Sequence, residues 1–119
     1  MAHPTLTRIF PAPEADVALE GLYLQHALHL PSASQQGPLV YSNFITSLDG
    51  RIAVEHPVTG QFGVPDTIAN RRDWRLYQEL AAQADILVTS ARYLRDLSQG
   101  WAQDTLPLSS DPAYADLQD

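Results

Sequence analysis

The sequence predicts an α/β fold, and three stretches carry that expectation. Residues 39–46 (LVYSNFIT) form an apolar run rich in β-formers. Residues 71–83 carry the helical repeat of Trp74, Tyr77, Leu80 and Ala81, with Ala84 just beyond in the same period. Residues 86–89 (ILVT) are a short run of the kind that forms buried strands. Strand, helix and strand in this order read as a right-handed parallel crossover. With 119 residues, 45% of them apolar, the chain suffices for one small globular domain.

The elements follow in order. Residues 1–16 are a leading segment broken by Pro4, Pro11 and Pro13. Asp16 can cap a following helix. Leu19, Leu22, Tyr23, Ala27 and Leu30 then fall at helical spacing, which predicts an amphipathic helix over about 17–29. Residues 31–38 (PSASQQGP) are a loop by composition. The span 1–38 is therefore expected to be an N-terminal extension with a helix. The strand 39–46 ends before a turn dipeptide, Asp49-Gly50. Residues 54–66, with Pro57, Gly60, Gly63 and Pro65, predict a long irregular loop. Asn70 is a good N-cap for the helix from 71, and Asp73 favours its start. Ser90 caps a short helix over 91–97. Leu106-Pro107-Leu108 leads to Ser110 and Pro112, a further helix start.

Charge and composition exclude several classes of function. The net charge is −7, and all seven basic residues are arginines. Such a chain has no basic footprint for nucleic acid and is repelled by anionic membranes. It has no apolar run near the roughly 18 residues of a membrane span. Residues 1–10 lack a basic start followed by an apolar core, so no secretory signal is read and the cytoplasm is the default location. Without cysteine there are no disulfides or thiolate metal sites. The histidines at 3, 26, 29 and 56 are scattered, and no metal site is expected. No motif frames a serine nucleophile.

Two blocks carry a resemblance. Tyr41-Ser42-Asn43-Phe44-Ile45-Thr46-Ser47-Leu48-Asp49-Gly50-Arg51-Ile52-Ala53 resembles the opening strand of the riboflavin-biosynthesis reductase family, with its Ser-Leu-Asp-Gly-Lys/Arg block. Asp73-Trp74-Arg75-Leu76, leading through Leu80-Ala81-Ala82-Gln83-Ala84-Asp85 into Ile86-Leu87-Val88, is similar to the family helix that ends in Ala-Asp before the next strand. Together they cover about 39 to 97. The resemblance implies a dihydrofolate-reductase-like mixed sheet with flanking helices. It also implies NADPH as cofactor and a pyrimidine, pterin-like or phosphoribosylamino-pyrimidine substrate that accepts hydride. The family domain is about twice this long, so 39–119 is read as its first half. Two strands cannot cover both faces of a parallel sheet or pair its edges. Self-association, as a homo-oligomer, or completion by a missing half is expected to do so.

What the resemblance implies for single residues stands beside a plainer reading of each. Thr46 and Ser47 fall where the family strand meets the nicotinamide, and Asp49 where it meets the substrate; the plain alternative is a turn at Asp49-Gly50. Asn43 faces the substrate cleft or hydrogen-bonds across the sheet. Thr89, Ser90, Ala91 and Arg92 open a helix, whose free N–H groups form an anion site. The family usually has Gly-x-Gly-Thr there against the cofactor phosphates. Arg92 can offer a charged fork to an adenosine 2′-phosphate, or it can be a surface arginine. Asp96 matches a family aspartate near the cofactor. Trp74, Tyr77 and Leu80 are expected in the core. Arg71 and Arg72, unfavourable to the helix dipole, hint at an outside anion or acidic partner.

Overall fold

A computed structural model describes residues 4–30, 37–102 and 108–118. Two antiparallel β-ribbons and two α-helices make up its regular structure, with short 3-10 segments. The chain is thus mixed α and β in a loose sense. Among the described residues the strands form two separate two-stranded sheets.

The first ribbon pairs β1 (Thr5–Arg8) with β2 (Glu14–Ala18), with a register shift between Leu6 and Arg8. Arg8 holds the ribbon's turn end by an ion pair with Glu14 and a bond from its Nε to the Ala12 carbonyl (3.2 Å). Pro11 and Pro13 suit the turn between the strands, which needs no ladder donors there. The second ribbon is β3 (Val54–Glu55) and β4 (Phe62–Gly63). It turns through His56–Gln61, where the His56 N–H donates to the Gln61 carbonyl (2.7 Å). The expected irregular loop over 54–66 therefore contains a minimal hairpin.

Helix α1 (Arg71–Ala82) matches its expected span. Asn70 caps it, its Oδ1 accepting from the Asp73 N–H at 2.9 Å. Helix α2 (Ala91–Ser98) is likewise capped by Ser90, whose Oγ accepts from the Tyr93 N–H at 3.1 Å. A 3-10 helix follows at Pro112–Leu117, with Asp111 as its cap. Ser110 was the expected neighbour of that start. Leu106 and Pro107, and residues 31–36 of the expected loop, lie outside the described residues.

Three expectations are corrected. Residues 17–29 do not form one helix. Residue 18 still belongs to β2, and only Leu24–His26 makes a 3-10 turn. Gly21 and Ala27 both take left-handed backbone angles, which end a helix. The N–H groups of Gly21 and Tyr23 donate instead to the carboxylate of Glu79, at 2.6 and 2.8 Å. Residues 39–46 and 86–89 are not paired as strands. Many of their apolar side chains stand in water, with Val40 86% and Val88 93% exposed. The expected parallel crossover is therefore not formed.

The buried face of α1 is polar rather than apolar. Arg75, Gln78, Glu79 and Gln83 are buried along it, and Gln78 and Glu79 are fully enclosed. Among the described residues the buried apolar core is Leu19, Ala81 and Leu117. So small a core leaves much of the packing to hydrogen bonds. Gln83 accepts from the Leu28 N–H (2.7 Å) and donates to the Tyr23 carbonyl (3.0 Å). Gln78 accepts from the Ser109 N–H (2.8 Å). Arg75 forks onto Asp116 and bonds Glu79 through Nε (2.9 Å), tying the C-terminal 3-10 helix to α1. The radius of gyration is 16.3 Å, above the roughly 13–14 Å of a compact chain this long.

Candidate functional site

The apolar face of α1, expected in the core, lines cavities instead. One cavity of about 470 Å³ lies between the first turns of α1, the segment 43–45 and residues Ile52, Val64 and Ala69. Its walls are mostly apolar, with Phe44, Ile45, Trp74 and Tyr77 prominent. Trp74 and Tyr77 stack on each other, 4.9 Å between centroids and 18° between planes. Asn43, Asn70, Arg71 and Asp73 add polar groups. An apolar cleft of this size with a few polar groups is the usual form of a small-molecule site.

A second groove, of about 680 Å³, lies on the other side of the same segment. The extended runs 37–44 and 86–88 border it together with Leu28, Leu30 and the later turns of α1. The sequence places these two runs together in one sheet; the structure does bring both to one groove, without ladder pairing. Asn43, Phe44 and Tyr77 line both spaces. The Tyr41 hydroxyl donates to the Leu80 carbonyl at 2.8 Å, pinning the segment to α1. Burial, with Asp85 adding to it, raises the Tyr41 phenol above its ordinary value.

Among the polar groups of the first cavity, Asn70 is committed to its cap and to the Ile68 carbonyl (3.3 Å). Asp73 differs. Its backbone N–H receives the cap, and partial burial of the carboxyl raises its pKa above the ordinary aspartate value. By sequence alone Asp73 reads as a helix-start residue and as the first residue of the second resembling block. The signal that could have marked it is a carboxylate one residue before an aromatic pair at i and i+3.

Of the residues expected to touch cofactor or substrate, only Asn43 lines either space, and Arg71, expected to face an outside anion or acidic partner, lines the first. Ser47 and Asp49 come together in a closed turn. The Ser47 hydroxyl donates to the Asp49 carboxylate, and the Ser47 N–H donates to the Arg51 carbonyl (3.0 Å). Arg51 pairs with Asp49 at 3.0 Å. The Ser47 bond, helped by the Arg51 charge, holds the exposed Asp49 carboxyl below its ordinary value. Thr46 is exposed beside this turn. Ser90 spends its side chain on the α2 cap. Arg92 lies over the Phe62 ring, 4.9 Å from its centroid, and 3.5 Å from Asp96. It thus joins β4 to α2.

The residues expected to hold NADPH are therefore divided between the turn at 46–49 and the start of α2. Neither cavity is lined by Thr46, Ser47, Ser90, Arg92 or Asp96. As arranged here they line no common cleft with Asn43. Among the described residues no three histidine, aspartate or glutamate side chains meet in a way that could hold a metal ion. No helix among those residues is long and apolar enough to cross a membrane. The chain matches no protein-family model, and no match is found among curated proteins or solved structures.

Proposed function

We propose that the chain supplies the substrate-holding part of an NADPH-dependent reductase of the riboflavin-biosynthesis type, acting on a pyrimidine, pterin-like or phosphoribosylamino-pyrimidine compound. One observation carries this reading. The 470 Å³ cavity lies where the two resembling blocks meet, between residues 43–45 and the first turns of α1. Its aromatic walls suit a flat ring, and Asn43, Arg71 and Asp73 offer polar contacts. In a hydride transfer the protein's task is to position two planar rings. This chain's share is to hold the substrate ring; the dinucleotide needs a surface beyond these residues as they are arranged. The cytoplasm is the proposed location. The test uses the protein purified from its native cells, mixed with NADPH and a phosphoribosylamino-pyrimidine. Loss of NADPH absorbance that depends on the pyrimidine is expected. Absence of any NADPH binding in that preparation would refute the reading.

A second reading is a non-catalytic binding or assembly half-domain, and the exposed runs 39–44 and 86–88 favour it. Unpaired extended segments with apolar side chains in water are templates for pairing with another chain. Sedimentation over a range of concentrations discriminates. Association that Val88→Lys abolishes supports this reading, and a monomer at high concentration removes it.

A further inference from the structure

The cavity at the start of α1 holds one acidic side chain, Asp73, and that residue is positioned differently from its neighbours. Arg71 also lines the space but is exposed, so water screens its guanidinium. Asp73 is only partly exposed, between Asn70 and the stacked Trp74. Among the described residues no side chain donates to its carboxylate and no cation pairs with it. Asn43, which lines the same cavity, makes no side-chain hydrogen bond among the described residues either. A carboxylate held against apolar walls without a partner is costly, and an arriving N–H donor or cation relieves that cost. The burial that raises the Asp73 pKa points the same way, because no neighbouring positive charge offsets it.

We propose that this cavity binds a small planar aromatic ligand with a cationic or amidine-like N–H edge, placed on the Asp73 carboxylate, with the ring against Phe44, Ile45 and Trp74. The location rests on the substrate-cavity reading above, while the choice of ligand charge rests on Asp73 alone and needs no NADPH. Neutral isosteres fill the same volume and can offer an N–H, but bring no charge to the carboxylate. Anionic isosteres place like charges together inside an apolar space.

The experiment uses the 119-residue chain with Trp101→Phe, so that Trp74 is its sole indole. Benzamidine, benzamide and benzoate are titrated against Trp74 fluorescence. Benzamidine is expected to bind about tenfold or more tightly than benzamide, equivalent to about 1.4 kcal/mol, and benzoate weakest. Asp73→Asn should remove this preference and leave benzamide affinity nearly unchanged. The cap survives that substitution because it uses the backbone N–H of residue 73. A second readout needs no variant: benzamidine affinity in the parent chain should fall as acid protonates Asp73. Equal affinities for benzamidine and benzamide would overturn the proposal. So would tighter binding of benzoate, which would assign the site to Arg71, or a preference that survives Asp73→Asn. A chain that prefers benzamidine but whose native preparation never binds NADPH sinks the reductase reading alone. NADPH turnover without the benzamidine preference sinks this proposal alone.

Discussion

Glu79 is expected to be the most sensitive single position in the fold. Its side chain is fully enclosed, and it gathers three donors from separate parts of the chain. The Gly21 and Tyr23 N–H groups reach it at 2.6 and 2.8 Å, and Arg75 Nε at 2.9 Å. Hydrogen bonds to a charged acceptor contribute about 1.5–3 kcal/mol each. Removing one partner of a buried ion pair costs about 3–5 kcal/mol. In Glu79→Ala the Arg75 charge keeps Asp116, which limits the loss, while two backbone donors lose their acceptor. The expected destabilisation is therefore about 3–5 kcal/mol, against roughly 5–15 kcal/mol for a whole domain. Glu79→Gln should fall between the parent and the alanine variant, since the amide keeps one acceptor oxygen but turns an N–H group toward other donors. Urea unfolding followed by circular dichroism gives the energy. Amide exchange at Gly21 and Tyr23 reports the local consequence, with protection lost before global unfolding. A loss under about 1 kcal/mol with exchange at both amides unchanged would show that Glu79 does not hold residues 21–23 to α1.

Other consequences follow from named contacts. The Arg75 hydrogen bonds hold the Asp116 carboxyl below its ordinary value, so their contribution is present at neutral pH and lost as pH falls below the ordinary aspartate value. Thermal melts through the acid range should show Asp116→Asn to be less acid-sensitive than the parent, and identical slopes would contradict this. Asn70→Ala removes the cap of α1 and should cost about 1 kcal/mol in urea, with faster exchange of the Asp73 amide. Arg92 and Phe62 should couple by about 0.5–1 kcal/mol in a double-mutant cycle of alanine variants. Zero coupling would mean that the ring contact contributes nothing.

Local signals were legible in the sequence where the deciding interactions lie within a few residues. The caps at Asn70 and Ser90 set α1 and α2, because each side chain bonds an N–H three residues on. Proline after an acceptor likewise marked the start at Pro112, although Asp111 rather than Ser110 makes the cap. The failures come from distant partners. The helical spacing of Leu19, Leu22 and Tyr23 is genuine, but Glu79, 56 residues beyond Tyr23, takes the N–H groups that a helix would need. The apolar pattern of 39–46 and 86–89 matches strands, yet a strand exists only with a partner, and among the described residues these runs have no ladder. The site was legible in part. Asn43 stood out as a polar residue in an apolar run, and it lies between the two spaces. Asp73 was hidden behind its ordinary place in a helix's first turn. The residues at 46–49 and 90–96 were expected at a ligand only through a resemblance, and here their side chains bond mainly one another, nearby backbone or Phe62.

In the proposed function, the segment 43–45 and the start of α1 together form the ligand-holding cavity. Amide NMR titration with an aminopyrimidine tests it most directly. Shifts concentrated at Asn43, Ile45, Asp73 and Trp74 are the expected result. Shifts confined to Ser47, Asp49, Ser90 and Arg92, or none at saturating ligand, would contradict the account.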